Sequence, residues 1–225
     1  AGVAAFSTCA SSPSLPVAVG DHMFSNFPGD NMQASVSAKY AVDSGYKTAY
    51  VLVSPDTAYT QLPLYFKDVF EKLGGKVLAE DSFSIGQQDF SAQVTNIKSM
   101  NPAPDVIMTA AYEPDFPAFI KQLRASGITT PVIGSDGIDS PTTFALGEVA
   151  EGVVFSTAGY AAEGSPLADF NAKFKAKYGA DPDTIYTAIG YDLIKVLEAA
   201  VLKAGSTDRA ALWEAVRSLE NVQGA

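Results

Sequence analysis

Between Asp105 and Gly137 the sequence reads strand, polar tip, helix, strand, polar tip, and that order leaves the chain few ways to fold. Val106 to Ala111 is an apolar run interrupted only by Thr109, the pattern of a strand covered on both faces. It ends in Tyr112-Glu113-Pro114. Pro114 suits the first turn of a helix, where its missing N–H is no loss. Phe116, Phe119, Ile120 and Leu123 then line one helical face, and Gly127 stops the helix. Pro131 to Gly134 is a second short strand, ending in Ser135-Asp136-Gly137. In a parallel sheet both tips, Tyr112 and Asp136, emerge at the carboxyl edge, where open α/β sheets bind ligands. The stretch therefore predicts a phenol and a carboxylate side by side over one crevice.

The flanking sequence repeats the theme. Val3 to Phe6 reads as a strand end, followed by a loop of small residues from Ser7 to Pro13. Met32, Val36 and Tyr40, four apart, predict a helical face ended by Gly45. Ala49 to Val53 is a buried strand whose exit loop carries Tyr59. Leu62, Tyr65, Phe66, Val69, Phe70 and Leu73 form one wide helical stripe, closed by Gly74-Gly75. A strand starts at Lys76, Asp89 caps a helix carrying Phe90, Val94 and Ile97, and Pro102-Ala103-Pro104 blocks its continuation. Thr142 to Leu146 reads as a short helix and Gly152 to Ser156 as another strand. Alternating strands and helices over residues 31–157 predict an α/β fold, a doubly wound parallel sheet. After Thr157 only helices are expected: one opened by Ser165-Pro166, one marked by Ile185, Ile189, Leu193 and Leu197, and one capped by Thr207-Asp208.

Composition excludes several function classes. The 225 residues carry a formal charge of −10, so nucleic acid is not an expected partner. No apolar run is long enough to cross a membrane, and no signal peptide is read at the start. Cys9 is the only cysteine and His22 the only histidine, which leaves no disulfide, no multi-histidine metal site and no nucleophile–His–acid set. No metal, cofactor or catalytic residue is expected. Ser44 and Lys47 have the spacing of a nucleophile pair but fall at a helix end beside Gly45, and Asp136/Asp139 and Asp181/Asp183 lack the further ligands of a calcium loop.

The chain resembles the periplasmic solute-binding proteins of branched-chain amino acid ABC transporters, of the leucine/isoleucine/valine-binding type. The likeness rests on landmarks in one order: Ser7 to Leu15, Tyr59 on its loop, Asp89-Phe90-Ser91, Pro104-Asp105-Val106-Ile107, Tyr112-Glu113-Pro114, Gly134-Ser135-Asp136-Gly137 and Ala150-Glu151-Gly152-Val153. The resemblance implies the type I periplasmic-binding-protein fold, two α/β lobes joined by hinge crossings. In that map residues 1–30 end lobe one and cross the hinge, residues 31–157 form lobe two, and residues 158–225 return to lobe one as helices of an incomplete second lobe. It also implies that the family's N-terminal part is missing, so that apolar faces such as Ile189, Leu193 and Leu197 invite self-association.

What the resemblance implies for the site is a free amino acid as ligand. Its carboxylate would meet the backbone of Cys9 and Ala10 and the Ser11 hydroxyl. Tyr59, Tyr112 and Asp136 would cover and neutralise its ammonium, with Asp136 standing where the family often has the longer Glu. Glu113, next to Tyr112, is read as solvated. The implied function is a periplasmic or extracellular receptor, its signal removed, that hands its ligand to the membrane permease of an ABC transporter without itself entering the membrane. A sensory domain of the same fold, or a receptor for amides or aromatic and organic acids, is the alternative.

Overall fold

The computed structural model describes residues 3–56 and 60–225, and the chain divides into two compact units, Asp30–Thr157 and the chain up to Gly29 together with Ala158–Ala225. The smaller unit begins with β1 (Ala5–Ser7), α1 (Leu15–Val19) and β2 (Met23–Ser25). β1 and β2 pair in parallel with Phe6 opposite Phe24, and the two rings stack at 5.3 Å. Neither α1 nor β2 is legible in the sequence, because such short elements carry no period.

The larger unit contains α2 (Asp30–Asp43), β3 (Thr48–Val53), α3 (Leu62–Lys72), β4 (Lys76–Ser82), α4 (Ser91–Ser99), β5 (Val106–Thr109), α5 (Asp115–Ala125), β6 (Val132–Gly134), α6 (Pro141–Phe144) and β7 (Val153–Phe155), with 3-10 turns at Asp136–Ile138 and Gly147–Ala150. Among the described residues its strands form one five-stranded parallel sheet in the order β4-β3-β5-β6-β7. Side chains alternate between two cores, as a strand requires. Tyr50, Leu52, Ile107 and Val132 face α4 and α5, packing with Phe90, Phe116, Phe119 and Leu123. Ala49, Val51, Met108 and Ile133 face α2 and α3, packing with Phe66 and Phe70. The α/β doubly wound sheet is the one the sequence predicts.

One helical face differs from expectation. Met32, Val36 and Tyr40 are exposed, whereas Ala34, Ala38 and Ala41 are fully buried. Both stripes have helical spacing, so period alone cannot choose between them. The core on this side already holds Phe66 and Phe70 of α3, and α2 packs against α3. Small side chains let the two helix backbones approach; the larger stripe is left to solvent.

Two polar side chains tie the strand ends. The Asp105 carboxylate accepts the Lys47 N–H, the Thr48 N–H and the Thr48 hydroxyl, each at 2.9 Å, pinning the entry of β3 beside that of β5. Arg124 donates to the carbonyls of Ile128, Thr130 and Glu151, each at 3.0 Å, which fixes the loop from α5 to β6 and the start of β7.

The smaller unit resumes with α7 (Pro166–Tyr178), α8 (Tyr186–Ala204) and α9 (Arg209–Arg217). The Ser165 hydroxyl caps α7 by accepting the Ala168 N–H at 3.2 Å, and Asp208 caps α9 by accepting from Ala210 and Ala211. These helices join the β1–β2 segment through specific contacts. The Asn26 amide donates to the Ile189 carbonyl at 3.1 Å, and the Trp213 indole donates to the Asp21 carbonyl at 2.9 Å. His22, at the surface, lies against the Trp213 ring at 4.9 Å.

Candidate ligand site

Tyr112 and Asp136 follow β5 and β6, which are neighbours in the sheet. The approach to Tyr112 is set by Thr109, whose hydroxyl accepts the Ala111 N–H at 3.1 Å, and by the Tyr112 carbonyl, which accepts the Phe116 N–H at 2.8 Å. Tyr112 thus sits at the mouth of α5, and the residue is 36% exposed. The β6 tip folds back on itself. The Ser135 hydroxyl accepts the Gly137 N–H at 3.2 Å, the Ser135 carbonyl accepts the Ile138 N–H at 3.2 Å, and Ile138 is buried.

That fold-back is tightly packed at both glycines. A Cβ on Gly134 would lie 2.5 Å from Ile138 Cδ1, and one on Gly137 would lie 3.1 Å from Tyr112 Cβ. The Gly137 backbone therefore rests against the Tyr112 side chain, and the two tips are in contact. Asp136, between these glycines, is 9% exposed. A nearly buried acid thus stands next to an exposed tyrosine on the adjoining tip.

Around this pair lie polar groups that sequence reasoning did not assign. Ser140 caps α6, accepting the Thr143 N–H at 3.2 Å, and donates its hydroxyl proton to the Glu113 carboxylate. The Asp139 carboxylate accepts the Thr157 hydroxyl at 3.3 Å. Glu113 is exposed, as read, yet it is hydrogen-bonded as well. Ser140-Pro141, a capping residue before a proline, is a helix-start signal that could have placed this group.

Cys9, Ala10 and Ser11 belong to the smaller unit, Tyr112 and Asp136 to the larger. Cys9 and Ala10 are exposed and Ser11 is half-buried. The Ala10 N–H donates to the Ser7 hydroxyl at 2.8 Å, so a carboxylate bound there would have to share or displace that bond. Tyr59 lies outside the described residues. Among the described residues no group of three or more His, Cys, Asp or Glu side chains could hold a metal ion. Ser44 and Lys47 are both exposed. A cavity of about 610 Å³ lies in the smaller unit, lined by Phe170, Phe174, Tyr178 and Tyr191, and none of the described residues expected in the site lines it.

Comparison with known proteins places this geometry in context. The family profile described as periplasmic binding protein matches residues 1–225. The Leu/Ile/Val-binding protein homolog 3 of Brucella melitensis is 28% identical over 212 residues, covering 93% of this chain and 56% of the relative. The Leu/Ile/Val-binding protein BraC3 of Rhizobium johnstonii is 31% identical over 183 residues, covering 80% of this chain and 49% of the relative. The chain thus spans about half the length of the curated relatives it matches. Among solved structures, the leucine binding protein LivK of Thermotoga maritima superposes with a TM-score of 0.88 at 31% identity, over 97% of this chain and 63% of that one. A solute-binding protein of R. palustris, solved with benzoate, superposes at 0.85 over 97% of this chain and 61% of that one, but at 18% identity it shares the fold alone.

Proposed function

We propose a function from one premise: the chain belongs to the periplasmic binding protein family. The family and the relatives above are non-enzymatic, extracytoplasmic solute-binding proteins of ABC transporters. The protein containing this chain is a receptor that captures a free amino acid and presents it to a membrane permease. The names of its relatives favour leucine, isoleucine or valine.

The observation that carries this reading is the contact between two tips of the larger unit, with Asp136 9% exposed and the Gly137 backbone against Tyr112. Asp136 neutralises the α-ammonium and Tyr112 covers it. The groups we propose for the carboxylate are the Cys9 and Ala10 backbone and the Ser11 hydroxyl, with Tyr59 as a second ring. A charge-assisted hydrogen bond contributes about 1.5–3 kcal/mol. Three or four, less the cost of ordering, reach the micromolar range at about −8 kcal/mol.

Titration calorimetry of the complete protein with L-leucine, L-valine and 4-methylpentanoate, which lacks the amine, tests the assignment. Saturable binding of an amino acid and none of the amine-free acid is the expected outcome. Equal binding of leucine and 4-methylpentanoate would remove the ammonium from the site and leave an organic-acid receptor.

A further inference from the structure

The paired register between β5 and β6 runs through Ile107↔Val132 and Met108↔Ile133, and it stops before either tip. Tyr112 and Asp136 therefore stand beyond the last rungs of the ladder, and side chains must hold them in relation. One contact is the Gly137 backbone against Tyr112. The other is the bond from Ser140 to Glu113, which ties the residue after Tyr112 to the loop that carries Asp136. The Ser140 oxygen is oriented by the Thr143 N–H at 3.2 Å. Its single proton goes to Glu113, since the competing acceptor, the Thr143 hydroxyl, lies 3.4 Å away. The same loop is held on its far side by Asp139 and the Thr157 hydroxyl.

We infer that Glu113 is a positioning residue that sets the separation of the Tyr112 phenol from the Asp136 carboxylate by holding Ser140. The inference rests on the ligand site proposed above. Glu113 acts as a hydrogen-bond acceptor, and its charge does not meet the ligand. An amide oxygen at the same place accepts the Ser140 hydroxyl equally well in geometry, so Glu113→Gln keeps the tie that Glu113→Ala loses.

Two measurements on the full chain separate this role from others. The first is hydrogen exchange without ligand, read at the Gly137, Ile138 and Asp139 amides, whose bonds build the β6 tip. Glu113→Ala is expected to quicken these by about threefold or more, with the amides of β3 and β5 unchanged, and Glu113→Gln to recover most of the protection. Unchanged exchange in Glu113→Ala overturns the inference. The second is calorimetry with L-leucine, where Glu113→Ala should weaken binding by about threefold to tenfold, the span of one partly exposed charged hydrogen bond. In an Asp136→Asn background it should cost clearly less than in the wild type, because it acts through the Tyr112–Asp136 pair. Additive losses, or a Glu113→Gln variant as weak as Glu113→Ala, would make Glu113 a direct ligand contact and overturn the positioning role. If the wild-type protein binds no amino acid, the proposed function fails, while the exchange measurement still decides whether Glu113 holds the tip.

Discussion

Asp136 is the side chain on which the binding proposal turns. Asp136→Asn keeps the shape and removes the charge. In the complete protein it should weaken amino-acid binding by about 2–4 kcal/mol, since a buried ammonium would lose its counter-charge. Calorimetry showing equal affinity would take Asp136 out of the site. A second acid tests the fold rather than the ligand. Asp115, at the start of α5, is fully buried, and neither carboxylate oxygen has a hydrogen-bond partner of good geometry. Burial pushes its pKa up, offset only in part by the nearby Gly86 and Gln87 N–H groups. The protonated form is thus favoured by folding. Its stabilisation is complete below the pKa of the unfolded chain and is lost as pH rises through the raised folded value. Asp115→Asn should flatten that loss and raise Tm at pH 7–8 by about 2–4 °C, the equivalent of about 1 kcal/mol in a chain of this size. Thermal melts across a pH series check it, and identical slopes for wild type and variant would count against it. Tyr112 and Asp136 were legible as tip residues because each follows an apolar strand run. Ser140 was not assigned to the site because its meaning comes from Glu113, distant in sequence and adjacent only once β5 and β6 pair.

At the scale of elements, the turn from α3 to β4 shows two glycines with separate reasons. Gly74 adopts φ +96°, a conformation that side-chain-bearing residues rarely take. Gly75 is needed for room: a Cβ there would lie 2.4 Å from the Phe70 ring, and that ring is fully buried and stacked on Phe66 at 5.3 Å. Gly75→Ala should therefore cost about 1–3 kcal/mol by forcing Phe70 off its packing, read as a lower urea midpoint at unchanged slope. An unchanged midpoint would show that the ring has room to move. The start of β3 depends on Asp105, where burial raises the carboxylate pKa but bonds from the Lys47 N–H and the Thr48 hydroxyl and N–H outweigh it and lower the net value. Its stabilisation is present above the unfolded pKa and fades as pH falls through the lowered one. Asp105→Ala should cost about 1 kcal/mol near neutral pH, a modest value because the group is exposed, and nothing in strong acid; chemical denaturation at the two pH values measures the difference. The α3 stripe was legible because its spacing fits one face only, although its last expected member, Leu73, falls just past the helix end and is exposed. On α2 two faces fit, and the choice fell to the neighbouring helix.

At the scale of the whole molecule, the face of α8 expected to be open is only partly so: Ile189 is buried and Leu193 half-buried, and of that set Leu197 alone is exposed, together with Tyr191, Ile194, Val201 and Leu202. Ile194, Leu197, Val201 and Leu202 recur at helical spacing and form one apolar stripe. The chain by itself should associate with rising concentration despite its charge of −10, and Ile194→Lys with Leu202→Lys should abolish the effect. Sedimentation velocity over a concentration series reads this directly, and a wild-type coefficient independent of concentration would rule it out. The larger compact unit ends at Thr157, where the sequence changes from alternating strands and helices to helices alone. By itself the sequence determined the parallel sheet, the apolar strand and α5 residues of its core and the two tips that follow β5 and β6, because hydrophobic period and breaker residues act locally and survive without knowledge of neighbours. Tertiary structure alone decided which face of α2 turns inward, that β2 exists at all, and that Glu113 is bound to Ser140. Each of these is a contact between segments apart in sequence, and the choice is made by the space and hydrogen-bond partners the other segment offers.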